Sequence, residues 1–79
     1  MHSTRAAVST TIRVTLARQR RSGRHLAQVL GMSAGAWHRR MAGAVAWDVD
    51  DLAGIARELG VPVADLVADL DDAAKVLSS

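Results

Sequence analysis

Residues 26 to 41 read LAQVLGMSAGAWHRRM, and the punctuation inside this stretch decides the fold. Leu26, Ala27 and Leu30 share one helical face, and the pattern stops at Gly31, a residue suited to the left-handed position just past a helix end. Ser33 then offers a side-chain oxygen for capping a new helix, on which Trp37 and Met41 stand at i, i+4 before Gly43. The reading is a short helix over about residues 23–30, a tight turn through Gly31-Met32-Ser33, and a second short helix to about Ala42.

Outward from this pair the same signals recur. Val8, Ile12, Leu16 and Gln19 repeat at helical spacing with Ser9 or Thr10 as the expected N-cap, which predicts a first helix over about residues 9–20. Residues 1–8 (MHSTRAAV) start polar without a clear cap and are read as an N-terminal arm or an extension of that helix. Asp48 is the expected cap of a fourth helix, with Asp50 and Asp51 at the positive end of its dipole and Trp47 and Leu52 at the positions of a hydrophobic staple. Leu52, Ile55, Ala56 and Leu59 form its buried stripe, and Gly60 stops it. Pro62 places the start of a fifth helix at about Val63, whose apolar face Leu66, Leu70, Ala73 and Leu77 could continue.

The core lacks Phe and Tyr and must be built from Leu, Val, Ile, two tryptophans and fifteen alanines. Small side chains favour short helices at close approach, so the expected fold is all-α, a compact bundle of about five short helices. Residues 9–70 are read as the domain and 71–79 as a C-terminal helical extension or tail.

Charge is divided along the chain. Residues 1–43 hold eight arginines and no carboxylate, whereas all eight carboxylates lie from Asp48 onward against only Arg57 and Lys75. The net value of +2 conceals this polarity, which suits a protein that offers one face to a polyanion. Cysteine is absent, which excludes disulfides and thiolate zinc sites, and no continuous apolar run marks a leader or a membrane span. The expectation is a soluble, cytoplasmic protein. Its three histidines have no matching ligand spacing, so no metal or cofactor is expected. No glycine-rich phosphate loop or nucleophile elbow is present, which argues against an enzyme.

Two helices joined through Gly31-Met32-Ser33 have the turn length of a helix-turn-helix. His25 through Ser33 (HLAQVLGMS) resembles the L-A-x-x-L-G-[VM]-S signature of the XRE/Cro-type helix-turn-helix family, which has a lambda-repressor-like fold. Gly43 matches that family's glycine after the recognition helix, and Leu52 through Val61 (LAGIARELGV) its fourth-helix pattern. The similarity runs without gaps from about Leu16 to Leu66. It departs at Gly23, where many members carry a phosphate-gripping Gln. It departs also at Leu16 and Met41, where many pair an arginine with a glutamate, and at Arg40, where an aliphatic is usual.

The resemblance implies that the second helix of the pair reads double-stranded DNA. It puts Ser33, Ala34, Gly35, His38 and Arg39 at base-reading positions. Physically, the small residues of Ser33–Ala36 let the helix approach the groove, Ala34 can touch a thymine methyl, and Arg39 can bond a guanine bidentately. Arg18, Arg20, Arg21, Gly23, Arg24, His25 and Arg40 are the expected phosphate contacts. A small Cro-like repressor acting by operator occlusion is the leading expectation, with no small-molecule ligand. The stripe through Leu77 could pair two copies or fold back on the first helix. The alternatives are an adaptor such as an antitoxin or anti-repressor, whose acidic half docks a basic protein, and a non-specific DNA-packaging protein.

Overall fold

Five helices make up the computed structural model, which describes residues 4–67. They are α1 (Thr4–Gln19), α2 (Gly23–Val29), α3 (Ala34–Met41), α4 (Val49–Leu59) and α5 (Val63–Leu66). The fold is all-α, and no strand occurs among the described residues. Their buried apolar side chains are Val8, Ile12, Leu16, Leu26, Ala27, Trp37, Ile55, Ala56, Leu59 and Leu66. Each of the larger ones contributes about 1.5–3 kcal/mol by leaving water.

Helix α1 starts earlier than the sequence predicts, at Thr4 rather than near Ser9. Val8 adds one more buried turn to the Ile12–Leu16 stripe, and Ala6 and Ala7 are strong helix formers, so of the two readings of this segment residues 4–8 follow the second and extend the helix. Ser9 caps nothing. It is only 1% exposed, and its hydroxyl donates to the Arg40 carbonyl at 2.8 Å while accepting from Trp47 Nε1 at 3.1 Å. A serine with tertiary partners has no need of a helix end. Thr10, Thr11 and Thr15 likewise satisfy their hydroxyls inside the helix, donating to the carbonyls of Ala6, Ala7 and Thr11.

The first four helices close in one manner. The N–H of Arg21, Met32, Ala44 and Val61 reaches back to the carbonyl of Leu16, Ala27, Arg39 and Ala56, at 2.9–3.0 Å. This Schellman geometry requires a left-handed residue just before the donor. Gly31, Gly43 and Gly60 fill that role in α2, α3 and α4, but Arg20, at φ 54°, fills it in α1.

Packing between the helices sets the position of α3. The ring centroids of Trp37 and Trp47 lie 5.4 Å apart at 73°, edge to face, so Trp47 serves as a partner for the α3 anchor in addition to packing near the start of α4. Gly23 lies against the Trp37 indole, since a Cβ there would stand 3.2 Å from its Cζ2. At Gly54 a Cβ would come within 2.8 Å of Leu30 Cδ2, which marks the close approach of α4 to the end of α2. The caps expected at Ser33 and Asp48 are present, accepting from Ala36 N and Asp51 N. Helix α5 begins where Pro62 predicts. Leu70, Ala73 and Leu77, with the expected extension over 71–79, lie outside the described residues, as do residues 1–3.

Candidate nucleic-acid interface

Helix α3 is anchored on one face and open on the other. Trp37 is buried and Met41 packs against the core, whereas Ser33, Ala34, Gly35, His38 and Arg39 are all exposed. All five residues expected to read bases therefore share the solvent face of this helix. The Ser33 hydroxyl already accepts from Ala36 N at 3.1 Å, which leaves its O–H to donate outward.

Both ends of α3 are tied down. At its start, Ser33 caps the helix and Gly31 turns the chain from α2. At its end, Ser9 holds the Arg40 carbonyl to α1. Such fixation keeps α3 in one orientation relative to its scaffold.

The expected phosphate residues divide into two groups. Arg18, Arg20, Arg24 and His25 are exposed. Arg21 and Arg40 have protein partners. Arg21 donates through Nη1 to the Glu58 carbonyl at 2.6 Å and through Nη2 to Glu58 Oε1 at 3.0 Å. With Gln19 Nε2 donating to the Leu59 carbonyl at 2.8 Å, it fastens the end of α1 to the end of α4. Arg40 leans back along α3, donating through Nη1 to the Ala36 carbonyl at 3.3 Å, and its Nε lies 3.2 Å from Asp51 Oδ2. Neither of those last two atoms completes a hydrogen bond, so their contact is Coulombic. Arg40 thus sits half-buried, with Asp51 of α4 compensating its charge. Gly23 is also half-buried, and a Cβ there would press on the Trp37 indole at 3.2 Å.

These pairs sharpen the charge layout. Asp51 and Glu58 neutralise the two arginines at the seam between the basic and acidic halves, and Arg18, Arg20, Arg24 and Arg39 remain exposed. A groove of about 540 Å³ runs between α2 and α3, lined by Arg24, Ala27, Gln28, Met32, Ala34, Trp37 and His38. Gln28 is the polar residue that sequence reading left out of the site. Its i, i+4 spacing from Arg24 puts both on one side of α2 and was the available signal. No described helix is long and apolar enough to cross a membrane.

A family model described as the BetR domain matches residues 4–76, nearly the whole chain. No curated protein matches the chain, and neither does any solved structure.

Proposed function

The chain belongs to the BetR domain family, small DNA-binding domains of the helix-turn-helix type, and on that premise we propose that it is a sequence-specific regulator of transcription, a Cro-like repressor related to the XRE type. Helix α3 enters the major groove of double-stranded DNA. Its first turn, with nothing longer than a serine side chain, lets the backbone approach the base edges, and the Ala34 methyl meets a thymine methyl. Arg39 bonds the O6 and N7 of a guanine, while His38 contacts an adjacent base edge. Arg18, Arg20, Arg24 and His25 neutralise phosphates on either side and fix the register. Arg21 and Arg40 act from behind, holding α1 and α3 to α4. Repression follows by occlusion, because polymerase and this protein cannot share the same groove.

The observation that carries this reading is the exposure of Ser33, Ala34, Gly35, His38 and Arg39 together on one face of α3 while Trp37 is buried on the other. The test begins by selecting duplexes from a random pool and measuring affinity for the selected and the scrambled sequence over a range of salt. Specific binding about 10³-fold or more tighter than to scrambled DNA is expected, with both affinities falling as salt rises. Equal affinity for the two would refute base reading. If two copies bind together, footprints should show half-sites about 34 Å apart, one helical turn.

A further inference from the structure

Gly35 lies beneath the Arg39 guanidinium. A Cβ built at Gly35 would stand 3.3 Å from Arg39 Nη1, closer than an ordinary van der Waals contact. The Arg39 side chain therefore doubles back along α3 toward its first turn, as helical side chains tilt toward the N-terminus. The residues of that first turn, Ser33, Ala34, Gly35 and Ala36, carry nothing larger than a hydroxymethyl group. The flanking long side chains point elsewhere, with Arg40 against Asp51 and His38 lining the groove beside α2. Glycine is also the costliest ordinary residue for a helix interior, and α3 has only eight residues. A glycine in that first turn weakens a short helix without serving a turn, since its φ is not among the positive ones.

We infer that Gly35 is a positioning residue that selects a G·C base pair through Arg39. By withholding a side chain, it leaves room for the guanidinium fork to lie against the helix, a seat from which a Cβ would push Nη1 by a few tenths of an ångström. Bidentate bonding to guanine needs the plane of the fork and the plane of the base to coincide, so a displacement of a few tenths of an ångström costs alignment in both bonds. The inference rests on α3 being the major-groove helix.

The test uses the full chain and its Gly35→Ala, Arg39→Ala and doubly substituted forms, each measured on a selected duplex and on every single-base-pair variant of it. Arg39→Ala should remove a preference of about tenfold or more for G·C at one position. Gly35→Ala should weaken the same preference about threefold or more at that position alone, and should add nothing there in the Arg39→Ala background. Its melting temperature should not fall, because alanine favours the helix. A Gly35→Ala effect that is absent, spread over all positions, centred on another base pair, or equal in both backgrounds would overturn the inference. Wild-type protein that binds every duplex alike would instead remove the reading of α3 on which the inference rests.

Discussion

Replacing Ser9 by alanine deletes a side chain that joins α1, the end of α3 and the loop before α4. The Ser9 hydroxyl donates to the Arg40 carbonyl at 2.8 Å and accepts from Trp47 Nε1 at 3.1 Å. The Arg40 carbonyl keeps a second donor, Gly43 N at 3.1 Å, so it is not left bare. Trp47 loses the partner of its indole N–H. The lost bond is worth about 1 kcal/mol, and an unpaired donor adds about 1–3 kcal/mol, toward the lower end here because Trp47 is only half-buried. Alanine returns about 0.5 kcal/mol through helix propensity. The net expectation is a loss of about 1.5–2.5 kcal/mol, and at about 4–8 °C per kcal/mol for a domain of this size the melting temperature should fall by about 6–20 °C. Urea titration followed by tryptophan fluorescence measures it. Trp47→Phe keeps the ring and removes the donor, so a double-mutant cycle with Ser9→Ala should be less than additive by about 0.5 kcal/mol or more. A Ser9→Ala loss under about 0.3 kcal/mol, or strict additivity, would show that the relay fixes nothing.

Arg39→Ala should cost about 1–3 kcal/mol on the selected duplex and almost nothing on scrambled DNA, as competition binding would show. Arg20→Ala and Arg20→Gly should weaken both duplexes alike and lower the salt slope by about 0.9. The glycine form should also melt about 4–8 °C higher than the alanine form, because it relieves the left-handed strain at φ 54°. Gly31→Ala places a side chain at φ 69° in the α2–α3 turn, and chemical denaturation should register a loss of about 1–2 kcal/mol.

The boundaries of α2, α3 and α4 were legible because each is marked locally. Ser33 and Asp48 cap, Gly31, Gly43 and Gly60 close, and Pro62 starts α5. The exposed face of α3 was legible for the same reason, since Trp37 and Met41 at i, i+4 orient everything between them. The start of α1 was not. Its serine and threonines resemble caps, and nothing near Ser9 announces that its partners are Arg40 and Trp47. Arg21 and Arg40 look like any other arginines in a basic segment, because Glu58 and Asp51 reach them only after the chain has folded. The contact of Gly23 with Trp37 is equally tertiary.

Backbone amide shifts recorded during titration with a selected duplex test most directly which surface meets DNA. The largest changes should fall on Ser33, Ala34, Gly35, His38 and Arg39, with smaller ones at Arg18, Arg20, Arg24 and His25. Changes gathered on the carboxylate-bearing residues of α4 and α5, with α3 unmoved, would contradict the assignment of that surface to α3.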